Sequence, residues 1–534
     1  MTTPTSTQVP KSGLGHHVSR IAAFPASPEA RPALLGFLGA ALITLGGLGA
    51  GSTRLHDPLL ESLHLSWLRF GHGLVVSSVL LWSGVALMLV SWLWLGRRVV
   101  DRTATEYTMV ATTGFWLAPL LLSVPVFSRD TYSYLAQGAL LRDGLDPYLV
   151  GPIDNPNSLL DNVSPIWTTT TAPYGPAFIL VAKFVTMMVG NDAVAGTMLL
   201  RLCMLPGLVM LIWAAPRVAR HVGANGAAAL WICVLNPLVI IHLMGGVHNE
   251  MLMVGLMMAG IALTFGNRPV AGAGLIAIAV AVKATTGIAL PFMVWVWMRR
   301  LQQRQELGAV RAFATATAAA AAVFCVVFAV LSWLAGVGLG WLTALAGSVK
   351  IINWLTLPTA AANVINIVGG LFLPVSFYAV LDVARIIGIA IIAISLPLLW
   401  WRFRHDDREA VTGIALAMLI VVLFVPAALP WYYTWPLAVL SALAQSRSAI
   451  AVIAGFSTWI MVIFKPDGSH GMYSWLHVLL ATTCAALAWY SLAKAPQSVN
   501  TQEPAPDAAP HGPDANSTRP RAGRWAWVLL PRRG

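Results

Sequence analysis

Residues 126–152 read VFSRDTYSYLAQGALLRDGLDPYLVGP and follow directly on WLAPLLLSVPV at 116–126, a stretch without a single charge. Arg129, Asp130, Arg142, Asp143 and Asp146 then arrive together, with Tyr132, Tyr134 and Tyr148 among them. Apolar sequence of membrane-crossing length, followed at once by crowded polar groups, reads as a helix delivering the chain to a membrane interface. The rest of the chain agrees. Of 534 residues, 57% are hydrophobic and 10% charged, against roughly 25% charged in soluble domains, and the mean hydropathy is +0.74. Apolar runs of about 20 residues recur, the length a helix needs to cross roughly 30 Å of hydrocarbon. Lipid satisfies no backbone polar groups, so these runs must be helical, and they lack the polar–apolar alternation of a barrel. The fold class is all-α polytopic membrane protein.

Spans are expected near 33–51, 72–95, 107–126, 194–215, 227–246, 250–266, 312–338, 378–401, 410–429, 449–464 and 474–493, with a short one near 432–445. Short cytoplasmic loops carry an excess of Lys and Arg. That rule assigns Arg97, Arg98 and Arg102, the clusters at 217–220, 299–311 and 402–408, and Arg447 to the cytoplasmic side. Keeping them there requires 270–298 to form two short spans meeting the outer face near Lys283, and 175–190 to be re-entrant or interfacial. A lysine inside an apolar run supports such a break, because an intramembrane charge is costly. The count becomes about 12–14 spans. Polar material then gathers outside, in large loops at 127–193, which carries interfacial helices, and 339–377. Residues 1–32 read as a cytoplasmic tail, 33–493 as one transmembrane domain, and 494–534 as a disordered cytoplasmic tail rich in Pro, Ala, Ser, Asn and Asp. The net charge of +12 sits in loops and tails and marks no nucleic-acid partner. Cys203, Cys233, Cys325 and Cys484 fall in apolar runs, as small buried hydrophobes.

Four constellations can carry chemistry. Asp130 stands just past the membrane boundary, where a partly desolvated carboxylate can serve as a general base; the alternative is an ordinary cap of a helix starting at Thr131. Asp143 and Asp146 lack DxD spacing, and GLDPY at 144–148 reads as a turn. His248, Asn249 and Glu250 stand consecutively in LMGGVHNEML and suit sugar hydroxyls or a phosphate. No second His or Cys follows at zinc-ligand spacing, so no metal is assigned. Lys283, with Thr285 and Thr286, suits a phosphate as a point charge, or else snorkels to the interface. Trp431, Tyr432, Tyr433 and Trp435 in ALPWYYTWPLA read first as an interfacial aromatic belt and second as a sugar-stacking platform.

Together, SRDTYSYLAQG with GLDPY and GP, APYGP, NPL–GG–HNE, the membrane lysine and PWYYTWPL resemble the actinobacterial α-(1→6)-mannopyranosyltransferases. The likeness runs from about residue 36 to about 490 and extends to HDPLLES, SWLRFGHG, SVKIINWLT and FKPDGSHGMYSWLH. It implies a GT-C glycosyltransferase fold in the plasma membrane, with its site on the extracytoplasmic side. It also implies polyprenyl-phosphate mannose as donor and a phosphatidylinositol-anchored mannan, in lipomannan and lipoarabinomannan synthesis, as acceptor. The family's sister branch works at an earlier, proximal part of the same chain. A β-linked donor and an α product imply one inverting displacement without metal or other cofactor. Carried over, Asp130 becomes the base and Lys283 a phosphate contact, with Arg129 a second phosphate candidate. Tyr132, His248, Asn249, Glu250, Trp431 and Tyr432 are assigned to substrate binding. Two rivals stay open at this point: the same chemistry on another polyprenyl-phosphate sugar such as arabinose, and a lipid-linked sugar flippase.

Overall fold

A computed structural model describes residues 24–345 and 350–494. The tail expected to be disordered lies outside the described residues, as does most of the N-terminal one. Among the described residues the chain is helical, and its only extended pairing is an isolated bridge between Phe464 and His470.

The first two long helices are α1 (Ala30–Ala50) and α2 (Gly71–Val100). They pack through small residues, as membrane helices do when backbones must approach closely. A Cβ on Gly39 would lie 2.7 Å from the carbonyl of Gly84. Helix α3 (Glu106–Leu120) starts at a capping box on Thr105. It stops six residues short of the span expected from the sequence. Pro119 occupies its last turn, and Pro125 lacks an N–H and disfavours helical geometry at Val124, so the helix is not continued and the chain runs on irregularly to Phe127.

Buried backbone of this kind needs partners. They come from Arg201, fully buried in α6 (Ala193–His221). Its guanidinium donates to the carbonyls of Leu121 (2.8 Å), Ser123 (2.7 Å) and Met244 (3.0 Å). Met244 belongs to a second irregular stretch. The span expected at 227–246 is broken: α7 (Gly226–Cys233) ends before Asn236–Pro237, and the chain resumes at a 44° bend through a π-helical turn, Ile240–Gly245. One buried arginine thus braces two broken helices.

Next come α8 (Glu250–Phe265), α9 (Pro269–Val282) and α10 (Ala289–Gln305). The break expected at Lys283 is present: this residue is extended and ends α9, and a 3-10 turn leads into α10. Gly175 packs against the break and donates its N–H to Val282 O at 3.3 Å. The following α11 (Ala309–Ala335), α12 (Leu357–Gly369), α13 (Phe377–Arg402), α14 (Asp407–Phe424), α15 (Thr434–Leu440), α16 (Arg447–Ile463) and α17 (Trp475–Ala493) complete the order. Among the described residues six helices are long and apolar enough to cross a membrane, or seven counting the bent pair. Of the other expected crossings, those near 250–266, 270–298 and 449–464 include the shorter apolar helices α8, α9 and α16. In the 127–193 loop the longest helices are α4 (Asp130–Arg142) and α5 (Pro176–Val189), with shorter turns between them.

The basic clusters grouped on one side by sequence do meet in space. Asp407 accepts from Arg299 (2.6 Å), Arg300 (3.2 Å) and His221 (2.8 Å), tying together the ends of α6, α10 and α14. Arg447 reaches Asp101 at 3.3 Å, and Arg220 pairs with Glu106. Asp130, Lys283 and the aromatic turn meet one another elsewhere, around two cavities.

Candidate active site

Helix α4 is short of charge after its first residue, and Thr131 to Leu141 are all buried. Asp130 opens it without capping it: the Ser128 hydroxyl accepts from the Asp130 N–H (3.1 Å), and no helix-start N–H donates to the carboxylate. The Asp130 side chain keeps 14% exposure. That exposure faces two cavities, and Asp130 lines both.

The first cavity, about 290 Å³, is walled by Asp130, Ser133 and Gln137 of α4, by Tyr174, Lys283, Tyr432 and Trp435, and by Ile392, Val421 and Val425. Beside it, the same α13 and α14 join α12 to form an open apolar groove of about 590 Å³ lined by Ile365, Val383, Ile387 and Phe424. The second cavity, about 240 Å³, is built from loops: Ser128, Arg129, Asp130, Ser164, Asn353, Trp431, Asp467 and His470.

Lys283 presents its ammonium to the first cavity at 12% side-chain exposure. It pairs with a carboxylate oxygen of Glu250 and lies 4.2 Å from the Tyr432 ring centroid and 5.1 Å from that of Trp435. A desolvated cation held by one carboxylate and aromatic faces is stabilised while leaving donors free for an anion. Trp431, Tyr433 and Trp435 are buried, at 3%, 5% and 2% exposure, so they form no interfacial belt. Their turn folds inward because Tyr433 donates its hydroxyl to Leu355 O while Tyr432 and Trp435 stack on each other at 4.4 Å.

His248, Asn249 and Glu250 are 0% exposed and line neither cavity. They stand behind it. His248 Nδ1 lies 3.8 Å from Asp130 Oδ2 and 3.9 Å from Glu250 Oε2, and its ring stacks on Trp431 at 3.8 Å. Arg129 is committed to the fold: its guanidinium donates to Asn162 O (3.2 and 3.0 Å) and Thr53 O (3.0 Å), clamping two loops. Tyr132 is buried and donates its hydroxyl to Ser52 O at 2.7 Å. Asp143 pairs with Arg142, and Asp146 accepts from Tyr148 N, which leaves both in surface and turn roles.

Burial and the Glu250 carboxylate push the Asp130 carboxyl up to about 7, while Lys283 and the Ser128 hydroxyl pull the other way. A carboxyl near 7 is matched to proton abstraction at neutral pH. No cluster of three or more His, Cys, Asp or Glu that could hold a metal occurs among the described residues.

Three contributors escaped the sequence reading. Ser133 and Gln137 follow Asp130 at i+3 and i+7, one helix face, a spacing visible in SYLAQG. Arg201 carried a plainer signal, a charge inside an apolar span.

These features define an integral membrane protein with a carboxylate–ammonium site opening between a loop-built cavity and an apolar, helix-walled one. The chain belongs to the α-(1→6)-mannopyranosyltransferase family. The family model described as "Alpha-(1->6)-mannopyranosyltransferase, N-terminal domain" matches residues 33–299, and one described as "MptB C-terminal domain" matches 358–494. The chain is 69% identical over 496 residues to alpha-(1->6)-mannopyranosyltransferase A of Mycobacterium tuberculosis, covering 93% of this chain and 96% of that one. It is 37% identical to alpha-(1->6)-mannopyranosyltransferase A of Corynebacterium glutamicum, over 87% of this chain and 99% of that one. Against alpha-(1->6)-mannopyranosyltransferase B of the same organism identity is 29%, over 82% and 76% of the two chains.

Proposed function

We propose that this chain is an α-(1→6)-mannosyltransferase that moves mannose, with inversion, from polyprenyl-phosphate mannose to a growing mannan chain on a phosphatidylinositol anchor. The backbone-elongating step of lipomannan and lipoarabinomannan synthesis is the reading favoured by the higher identity to the A proteins. The observation that carries the mechanism is that Asp130 borders both cavities.

The donor takes the cavity with Lys283. Its phosphate meets the ammonium, and its prenyl chain leaves along the apolar groove between α12, α13 and α14. Apolar lining without polar partners suits an isoprenoid and would not suit a sugar. The acceptor takes the polar cavity, with Trp431 as a stacking surface beside Asn353, Asp467 and His470. Asp130 removes the proton of the acceptor 6-hydroxyl as that oxygen attacks the anomeric carbon. The bond to phosphate breaks opposite it, and Lys283 stabilises the charge gathering on the leaving oxygen. The GT-C fold fits this division, and the active site faces the extracytoplasmic side of the plasma membrane, away from the ends joined at Asp407.

Purified protein in lipid nanodiscs, given radiolabelled polyprenyl-phosphate mannose and a short α-(1→6) mannoside, should yield a longer oligosaccharide. An α-(1→6)-specific mannosidase should degrade it. Transfer from polyprenyl-phosphate arabinose instead, or movement of the intact lipid across the bilayer without transfer, would overturn the reading. For sidedness, a cysteine at half-exposed Ile153 should react with an impermeant thiol reagent added to intact cells; reaction only after permeabilisation would reverse the orientation.

A further inference from the structure

The segment 242–250 concentrates buried polar atoms that find no partner: both ring nitrogens of His242, Nε2 of His248, both amide atoms of Asn249, and Oε2 of Glu250. Unpartnered polar atoms at this density are costly, and in natural proteins they mark strain, water or chemistry. Here they lie along a continuous line of titratable groups. Asp130 Oδ2 is 3.8 Å from His248 Nδ1, the same Nδ1 is 3.9 Å from Glu250 Oε2, and Glu250 Oε1 holds the Lys283 ammonium. One nitrogen is nearly equidistant from two carboxylates and bonded to neither. Trp431 stacks on the imidazole, with 3.8 Å between ring centroids. The other groups facing the ring are the Tyr134 hydroxyl, 3.4 Å from Nδ1, and His242 across the π-helical turn.

We propose that His248 and Glu250 form a proton relay that returns the acceptor's proton from Asp130 to the departing phosphate through Lys283. The inference rests on Asp130 as base and Lys283 as phosphate contact. With donor and acceptor bound, both openings of Asp130 are filled, so a proton on its carboxyl has no direct route to water. Neutral His248 takes it on Nδ1 and, as imidazolium, passes it to Glu250 Oε2. Protonated Glu250 no longer neutralises Lys283, whose ammonium gives a proton to the phosphate dianion and recovers one from Glu250. Atoms and charge balance: the acceptor O–H and donor C1–O bonds break, the new C1–O bond forms, and the proton ends on polyprenyl phosphate. Asp130, His248, Glu250 and Lys283 all return to their starting forms. His248 and Glu250 thereby act through Asp130 and Lys283, without touching the sugar.

The test separates the first turnover from later ones. Asp130 can accept one proton without a relay, so His248→Asn, which keeps a polar atom near Nδ1, should make its first product at close to the wild-type rate. Steady-state turnover should then fall on the order of 10²-fold, with an enlarged solvent deuterium effect, an unchanged kcat/KM and a donor Kd within about twofold of wild type. Glu250→Gln should give the same burst, and it decides the matter alone if His248→Asn does not fold. Equal loss of single-turnover and steady-state rates, or no loss in either, overturns the relay. Absence of any transfer by wild-type protein would count against the proposed function instead.

Discussion

Glu250→Gln should move the pH dependence of transfer by an amount the geometry sets. Oxygens of Asp130 and Glu250 lie 3.8 and 3.9 Å from one His248 nitrogen, hence within about 8 Å of each other, a range where charge coupling is appreciable. Two unit charges at about 8 Å interact by about 2 kcal/mol at an effective dielectric near 20, and by about 0.5 kcal/mol in water. Those limits correspond to roughly 1.5 and 0.4 pH units. The direction follows from the base. Asp130 works ionised, so activity is lost as pH falls through its value in the folded protein, about 7. Glu250 raises that value; removing its charge lowers it, and Lys283, released from its partner, lowers it further. The acid limb of kcat/KM, measured in nanodiscs from about pH 5 to 8.5, should therefore move down to between about 5.5 and 6.6. An acid limb that stays at wild-type pH, or climbs, would show that Glu250 does not act on the base.

Three further outcomes follow from the same contacts. Asp130 binds its proton more tightly in the folded chain than in the unfolded one, with a value of about 7 against 3.8. The fold therefore loses stability as pH rises from about 4 to about 7. Asp130→Asn should consequently melt higher than wild type at pH 8, with the gap narrowing at pH 5, and equal gaps at both would refute the burial argument. Arg201→Met strips buried carbonyls of Leu121, Ser123 and Met244 of their donor. At about 1–3 kcal/mol for each lost partner, the melting temperature of a chain this long should drop by about 3–8 °C, and a change under about 2 °C would mean that the arginine braces nothing. Gly175→Ala would place a methyl 2.4 Å from the carbonyl of Ala281, one residue from the end of α9, so the break must shift at some cost in stability; donor KM should rise, and an unchanged KM in the folded variant would separate Gly175 from the Lys283 site.

Much of this organisation was legible in the sequence because bilayers impose simple rules. Apolar length gave the helices, and basic clusters grouped the ends that Asp407 joins. A lysine inside an apolar run foretold the break after Val282, since an extended residue there lets the ammonium reach the cavity. What stayed hidden depends on contacts between distant segments. Nothing in HNE says that it sits behind the site, 0% exposed, because a polar tripeptide between apolar runs also suits an open turn. The aromatic turn reads as a belt until Trp431 is found stacked on His248. The shortened α3 was half legible: Pro119 and Pro125 were in view, but the partners of its irregular end, Arg201 with Ser52 and Pro466, come from distant segments.

The most direct test is a single turnover by Asp130→Asn. Asparagine keeps the size of the side chain and leaves the cavities open, but it cannot take a proton. With saturating labelled polyprenyl-phosphate mannose and an α-(1→6) mannoside, the variant should bind donor with wild-type affinity. Its first-turnover rate should fall by at least about 10³-fold at every pH from 6 to 8.5. A first turnover within about tenfold of wild type, with donor bound, would remove Asp130 from the chemistry and contradict the account built on it.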